Sequence, residues 1–179
     1  MVHGGASADG AGPEMRIGVT GHINLSPETA RLVASELRAH LSGMRDGNGI
    51  ARAMVGVSCL APGADSVFAE VLLSLGGRLE VILPRADYGR ARLGPADAAT
   101  FEDLLRRASL VRVPECEHAE PAAYIAANNQ MLDAIDHLVA VWDGDHQALL
   151  PGGTAHVVQT ALSRDIPVTV IWPEGARRS

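Results

Sequence analysis

The sequence predicts a single three-layer, doubly wound α/β domain built on a mostly parallel sheet of about six strands. Short apolar runs alternate with segments of helical periodicity along nearly the whole chain. The apolar runs are continuous rather than alternating, as expected for strands whose two faces are both covered by helices. The 179 residues, 47% hydrophobic and 20% charged, suit one globular domain.

The first strand and helix carry the clearest signals. The apolar run at 16–20 predicts a strand that stops at Gly21. Ser26 then supplies a helix cap, and Pro27 occupies the first turn. Helical spacing continues to about residue 42 through four apolar side chains, Leu32, Val33, Leu37 and Leu41.

The same alternation continues through the rest of the chain. Further strands are predicted at 54–60, 79–83, 110–113, 137–142 and 167–172. Further helices are predicted at 66–75, 98–108, 121–135 and 154–164. We expect the short fourth strand at an edge of the sheet. We expect residues 15–175 to form one unit after a flexible tail at 1–14, whose glycine-rich sequence offers nothing to bury.

Composition excludes several classes of protein. No apolar run approaches the ~20 residues of a membrane helix and no secretory signal is present, so we expect a soluble, cytoplasmic protein without a membrane partner. Cys59 and Cys116 form no CxxC pair, which excludes a disulfide framework. All 15 Lys+Arg residues are arginine, which removes any P-loop or Schiff-base lysine. The net charge of −6 argues against nucleic acid as a partner.

The candidate ligand site lies after the predicted strands, because ligands bind doubly wound sheets beyond the carboxyl ends of the strands, where strand order reverses. The strongest candidate is the turn Pro151-Gly152-Gly153-Thr154 at the start of the last helix. Its glycines let a phosphate approach backbone N–H groups, and the Thr154 hydroxyl adds a donor. A loop that needs glycines only to turn and cap a helix explains the same residues.

Other candidate ligand-binding residues follow the remaining strands. They are Gly21, His22, Ser58, Ala61, Gly63, Ala64, Asp65, Pro84, Asp143 and Gly144. Gly21, Gly63 and Ala64 are expected to let a ligand lie against the backbone. Asp65 is interpreted as a helix N-cap, with hydrogen bonding to ribose as the alternative. His22 is interpreted first as a solvated loop residue, and otherwise as a contact to phosphate or base.

Several familiar catalytic patterns are missing from the sequence. Asp143, Asp145, His146 and His156 match no established metal-ligand spacing, so we expect no metal site. There is no G-x-S-x-G elbow of a serine hydrolase and no G-x-G-x-x-G after the first strand.

Six segments in order carry a family resemblance. They are RIGVTGH at 16–22, SCLAPGADSVFAE at 58–70, LEVILP at 79–84, YIAANNQMLDAIDHLVAVWDG at 124–144, PGGTAHVVQTA at 151–161 and IPVTVIWP at 166–173. Together they resemble the SLOG superfamily of Rossmann-like proteins, which includes the Lonely Guy phosphoribohydrolases, the molybdenum-cofactor carriers, DprA and the YpsA-like group. The resemblance implies a nucleotide-binding fold, with the Gly-Gly-Thr loop around phosphate and the Gly-Ala-Asp loop nearby.

The resemblance leaves enzymatic activity open. Lonely Guy enzymes carry an Arg-Lys pair and a P-G-G-x-G-T-x-x-E motif, whereas this chain has Ala127 and Asn128 at the pair and Gln159 at the glutamate. A neutral glutamine cannot act as a carboxylate in cleaving an N-glycosidic bond. Asn128 is instead expected to hydrogen-bond a phosphate, base or sugar.

We therefore predict a sensor or carrier of a nucleotide or nucleotide derivative, an adenine nucleotide such as AMP or an ADP-ribose-like ligand, with no other cofactor assigned. The alternative is a Lonely Guy-type nucleoside 5′-monophosphate phosphoribohydrolase that uses Asp65 or Asp143. A third class is cofactor carriage like that of the molybdenum-cofactor carriers. Relatives form symmetric dimers, so a homodimer is expected, with Leu104-Leu105 and Val157-Val158 as candidate apolar contacts.

Overall fold

A computed structural model of the chain describes residues 14–46, 52–89, 93–113, 121–145 and 150–179. The tail predicted at 1–14 lies outside these ranges apart from Glu14, which is the first residue of a strand. Cys116 and His146 also lie outside the described residues. No helix in the described ranges is both long enough and apolar enough to cross a bilayer.

Six parallel strands form one sheet. They are β1 (Glu14–Gly21), β2 (Ala53–Ser58), β3 (Arg78–Ile82), β4 (Leu110–Arg112), β5 (His137–Val141) and β6 (Val168–Ile171). Their order is β4-β3-β2-β1-β5-β6, with every pair parallel. The chain builds outward from β1 to β4 and then returns to the other side of β1. Strand order therefore reverses between β1 and β5, where a doubly wound sheet opens a crevice.

In the described ranges, five helices of ten residues or more cover the two faces of the sheet. They are α1 (Pro27–Asp46), α2 (Ala64–Ser74), α3 (Pro95–Arg107), α4 (Ala122–Asp133) and α5 (Thr154–Ser163). One core contains Ile17 and Val19 of β1 with buried side chains of α1, α2 and α3. The other contains Val57 and Leu138 with buried side chains of α4 and α5. The predicted three-layer α/β fold is confirmed, with a sheet that is parallel throughout.

The predicted elements are all present, and their ends differ by a few residues. Ser26 caps α1 as predicted, because its Oγ accepts a hydrogen bond of 3.1 Å from the Thr29 amide. The helix continues to Asp46, about four residues beyond the prediction. β4 lies at the sheet edge as expected. α2 begins at Ala64, so Asp65 lies inside the helix and the prediction that Asp65 is its N-cap is wrong.

The apolar pairs offered as dimer contacts belong mainly to the core of the monomer. Leu104, Val157 and Val158 are buried within one chain. Each packs into one of the clusters on the sheet faces, and so does the partly buried Leu105. These side chains therefore cannot form the dimer surface that was predicted for them. A homodimer stays a prediction, and its interface would have to involve other residues.

Candidate functional site

A cleft of about 440 Å³ opens at the carboxyl edge of the sheet, at the reversal of strand order. Nine of the residues predicted from the sequence line it: Gly21, His22, Ala61, Asp65, Pro84, Asn128, Gly152, Gly153 and Thr154. Five others do not: Ser58, Gly63, Ala64, Asp143 and Gly144. The fold therefore brings the loops after β1, β2 and β3 together with the first turns of α4 and α5.

The start of α5 faces this cleft without a side-chain cap. Gly153 is the N-cap residue, and no side chain hydrogen-bonds there. Its own N–H donates to the Leu150 carbonyl at 2.9 Å, and the N–H of Val157 begins the helical ladder. The N–H groups of Thr154, Ala155 and His156 come before the first intrahelical bond, and no acceptor for them is present in the described ranges. The Gly152 N–H donates to the His156 Nδ1 at 3.4 Å, so the donors that remain available after the Gly-Gly turn are those of Thr154, Ala155 and His156.

Asn128 supports this turn from α4. Its Nδ2 donates to the Gly152 carbonyl at 3.0 Å, and its Oδ1 lies 3.7 Å from the Cys59 Sγ, which donates. The amide therefore ties the Gly-Gly turn to the end of β2. Tyr124 packs against the same turn, because a Cβ on Gly152 would lie 3.1 Å from the Tyr124 Cβ. The hydrogen bonds of Asn128 hold the Gly-Gly turn in place. Asn128 also lines the cleft.

Asp65 lies at the cleft with its carboxyl group buried. Its Oδ2 accepts a hydrogen bond of 2.9 Å from the Ser58 hydroxyl, which in turn accepts one from the Leu60 amide. Burial raises the pKa of Asp65 to about 7. The hydrogen bonds that its carboxylate accepts from the Ser58 hydroxyl and from the Ala61 and Cys59 amides act to lower it. Ser58 is fully buried beneath the cleft. Both residues therefore hold the loop between β2 and α2 in place. This structural role was not predicted from the sequence.

The small residues of the first two loops are required by contacts within the chain. Gly63 has a φ of +75°, and a Cβ there would lie 2.6 Å from the His22 carbonyl oxygen. The neighbouring amide of Ala64 donates to that same oxygen at 3.1 Å. A Cβ on Gly21 would lie 2.5 Å from the Ala64 Cβ. These positions were predicted to make room for a ligand, whereas the structure shows that they let the loops pack on each other.

His22 is not a solvated loop residue, so that interpretation is wrong. Its side chain is only 11% exposed, and its Nε2 lies 3.0 Å from the Asp143 Oδ1. The ring also packs edge-on against Trp172, with ring centroids 5.3 Å apart. The contact between His22 and the Asp143 carboxylate could not be predicted from the sequence. The two residues follow different strands and meet only because β1 pairs with β5.

Asp143 lies behind His22 and is held by several groups. Its Oδ1 accepts from the Asp145 amide at 3.1 Å, and its Oδ2 lies 2.9 Å from the Arg178 Nη2. Burial acts to raise the pKa of Asp143, but the Asp145 amide, His22 and Arg178 together lower it below its usual range. In the part of the chain that the structure describes, no three His, Cys, Asp or Glu side chains are grouped to hold a metal ion.

Half of the residues that line the cleft were not predicted from the sequence. These are Val19, Thr20, Ile23, Asn24, Cys59, Pro62, Tyr88, Leu93 and Tyr124. Tyr88 makes edge-on ring contacts with Tyr124 and Phe101, at centroid distances of 6.1 and 6.0 Å. For the segment after β3, the sequence indicated a site residue only by its position directly after a strand. That position identified Pro84, but it gave no reason to select Tyr88 or Leu93 further along the chain.

No family model and no curated protein matches this chain. Solved structures do match. DNA processing protein A (DprA) from Streptococcus pneumoniae has a TM-score of 0.61 and 16% identity over 90% of this chain and 51% of that chain. DprA from Helicobacter pylori, described for its mode of binding single-stranded DNA, has a TM-score of 0.62 and 15% identity over 92% and 68%. The structural-genomics protein TM1055 has a TM-score of 0.52 and 17% identity over 86% and 72%.

These comparisons define the class of fold. At such identities the likeness shows a shared Rossmann-like architecture, and the chain spans about half the length of the S. pneumoniae protein. The family resemblance drawn from the sequence motifs includes DprA, and two DprA structures share the fold of this chain, so the comparisons agree with that resemblance at the level of the fold. The chain is thus a Rossmann-like α/β domain.

The argument from net charge against nucleic acid is wrong. A protein of the same fold, H. pylori DprA, is described as binding single-stranded DNA. Net charge is a sum over the whole molecule, whereas single-stranded DNA is bound by a local groove and by surfaces on which bases stack. A formal charge of −6 therefore does not exclude such a partner.

Proposed function

We propose that the cleft binds a nucleotide or nucleotide derivative through its phosphate, and that the protein is a sensor or carrier of an adenine nucleotide or an ADP-ribose-like ligand. The observation that carries this proposal is the uncapped start of α5 at Gly152–Thr154, which faces the cleft. Each charge-assisted hydrogen bond to a phosphate contributes about 1.5–3 kcal/mol, and the helix dipole adds roughly 0.3–1 kcal/mol. Two or three such bonds suffice for a specific phosphate site.

The rest of the cleft suits the remainder of a nucleotide. Leu93, Pro62 and Pro84 contribute apolar surface, and Tyr88 and Tyr124 contribute aromatic edges. A purine ring is flat, apolar on its faces and polar at its edges, so it is stabilised in such surroundings. Within the described residues no arginine lines the cleft, and the donors available there to a phosphate include the backbone N–H groups of α5 and the side chain of His22.

The test is a thermal-shift titration with a panel of nucleotides. We expect AMP or a related nucleotide to raise the Tm of the wild-type protein, because a ligand that binds only the folded state stabilises it. Gly153→Asp should abolish that shift. Aspartate is a good N-cap residue, so its carboxylate would accept the free N–H groups of α5 and occupy the anion site itself. The apo Tm of this variant should not fall.

Gly43→Asp is the matched control. It adds the same charge on α1, where nothing lies within 4 Å of a new Cβ. This variant should keep the ligand-induced shift of the wild type. A panel that gives no shift at millimolar concentration, or a shift that survives in Gly153→Asp, would count against the proposal.

Single-stranded DNA is a second candidate ligand, favoured by the likeness to the H. pylori protein. Binding of a fluorescent oligothymidine should then be detectable by anisotropy and should weaken as salt increases, because bound phosphates release counterions. The same samples distinguish the two ligands. If AMP competes with the oligonucleotide and Gly153→Asp loses both, one site serves both ligands; if only the oligonucleotide binds, the mononucleotide proposal fails.

The phosphoribohydrolase alternative has one carboxyl group within reach of a ligand. Asp65 lines the cleft, whereas Asp143 does not, and both oxygens of Asp143 are already held. Release of free adenine from AMP by catalytic amounts of protein, lost in Asp65→Asn, would identify an enzyme rather than a carrier. Release that is instead lost in Asp143→Ala would support the other assignment.

A further inference from the structure

The two ring nitrogens of His22 differ in their contacts. Nε2 contacts Asp143, whereas Nδ1 has no hydrogen-bond partner among the residues that the structure describes. Its Nε2 lies 3.0 Å from the Asp143 Oδ1 and 3.2 Å from the Asp143 amide nitrogen. Its Nδ1 has no hydrogen-bond partner within the described residues, although the residue lines the cleft. Nδ1 is therefore the nitrogen available to a ligand.

Asp143 can hold the ring in more than one protonation state. A protonated Nε2 donates to the carboxylate, and an unprotonated Nε2 accepts from the amide N–H. When the neutral ring donates through Nε2, Nδ1 carries a lone pair, which repels the oxygen of a phosphate. The other neutral tautomer has its proton on Nδ1 and could donate to a phosphate, but its unprotonated Nε2 would then face the Asp143 carboxylate at 3.0 Å without a hydrogen bond to it. When both nitrogens carry protons, the ring can donate to the Asp143 carboxylate and to a phosphate at the same time.

We propose that phosphate binding in the cleft draws a proton from solvent onto Nδ1 of His22, so that an imidazolium bridges the ligand phosphate and the Asp143 carboxylate. This inference rests on the proposed function. No covalent bond forms or breaks, and the proton returns to solvent when the ligand leaves. Asp143 is a positioning residue, because it acts on the ligand through His22.

The groups around His22 orient the ring and its carboxylate partner. Arg178 lies 2.9 Å from the Asp143 Oδ2, which keeps the carboxylate ionised and leaves Oδ1 to the imidazole. The edge-on contact with Trp172 restricts rotation of the ring. The other charged side chain of this network is that of Asp145, whose carboxylate lies 3.8 Å from Arg178.

Other titratable groups also line the cleft, and the test must separate them from His22. They are Asp65, Cys59, Tyr88 and Tyr124. Asp65 is the relevant one near neutral pH, because burial raises its pKa to about 7. A phosphate that approached Asp65 would also favour its protonated form. Proton uptake therefore identifies His22 only if it is lost when His22 alone is changed.

Isothermal titration with AMP, in several buffers of different ionisation enthalpy, measures the number of protons taken up. At about pH 7.5, well above the second phosphate pKa of about 6, AMP itself contributes little. We expect uptake of up to one proton per AMP in the wild type and none with adenosine, which lacks the phosphate. His22→Asn should lose the uptake and bind AMP about tenfold more weakly, as expected for one charge-assisted hydrogen bond.

Asp143→Asn tests the positioning role. His22 is kept in this variant but loses its carboxylate, so both the uptake and the affinity for AMP should fall. Asp133→Asn removes the same charge at an exposed position that pairs with Arg164 and does not line the cleft, so its uptake should match the wild type. Long-range ¹H–¹⁵N spectra of the imidazole provide an independent measurement, because the Nδ1 resonance should move to the protonated position on addition of AMP.

The outcomes separate this inference from the proposed function. If AMP shifts the amide resonances of Gly153 and Thr154 but its binding heat does not depend on buffer, the cleft binds phosphate and the inference about His22 is wrong. Uptake that persists in His22→Asn also overturns it and points to Asp65. If no amide resonance moves and no heat is released, the proposed function fails, and this inference fails with it.

Discussion

At the scale of single residues, the cleft depends on side chains that the chain itself already holds. Ser58 and Asp65 fix the second loop, and Asn128 fixes the Gly-Gly turn. Residue type and position after a strand were enough to predict eight of the nine lining residues, because the carboxyl ends of parallel strands meet at one edge. The ninth, Asn128, lies inside α4 and was predicted from the family resemblance. Partners could not be predicted, because contacts such as that between His22 and Asp143 join residues 121 positions apart.

Asp65 gives a prediction at this scale. Burial raises its pKa from 3.8 to about 7, so the folded state binds a proton more tightly than the unfolded chain does. The contribution of Asp65 to the free energy of unfolding must then decrease as pH rises from about 4 to about 7. Asp65→Asn keeps the acceptor for Ser58 but cannot ionise, so the difference in stability between wild type and variant should follow that trend.

Urea unfolding at several pH values measures this difference. Taking the difference matters because His40 and His137 act in the opposite direction: burial lowers their pKa, so stability is lost as pH falls below about 6.5. Asp133→Asn, at an exposed position, is the control for loss of charge. A wild-type-minus-variant difference that stays flat with pH would show that Asp65 ionises normally.

At the scale of elements, periodicity was sufficient to place the six strands and the five longer helices of the described ranges, and for these it failed only at their ends. A helix continues while its apolar face finds partners, and its last turn depends on tertiary contacts that a local pattern does not contain. The start of α2 shows this. Asp65 has the residue type of an N-cap, but the positive φ of Gly63 lets the helix begin at Ala64 and buries the carboxyl group.

The packing of α2 on the sheet gives a prediction at the element scale. A Cβ on Gly56 of β2 would lie 2.3 Å from the Leu72 Cδ2 and 2.8 Å from the Phe68 Cε1. Both side chains are fully buried and cannot move aside without disturbing the core. Gly56→Ala should therefore lower the free energy of unfolding by about 1–3 kcal/mol, as overpacking does.

Gly43→Ala is the matched control on α1. Nothing lies within 4 Å of the added methyl group, so replacing this helical glycine should stabilise the protein by roughly 0.5–1 kcal/mol. Denaturant unfolding of the two variants should therefore give changes of opposite sign. A Gly56→Ala variant as stable as the wild type would mean that the α2–sheet spacing is looser than the structure shows.

At the scale of the whole molecule, the fold class could be predicted, because continuous apolar strands separated by helices have few other arrangements. The structure, and not the sequence, places the reversal of strand order between β1 and β5. Ligand chemistry does not follow from the fold. Whole-molecule net charge was a wrong guide to nucleic acid, since the structural neighbours include a protein described as binding single-stranded DNA. What binds is decided by the local donors of the cleft.

The central claim is that the backbone N–H groups at the start of α5 bind a phosphate. The most direct measurement is a crystal structure of the protein determined with AMP. We expect phosphate density within about 2.7–3.2 Å of the amide nitrogens of Thr154 and Ala155, the distance of N–H···O hydrogen bonds. Bound AMP with its phosphate directed away from these nitrogens would contradict the account, as would an empty cleft at saturating AMP.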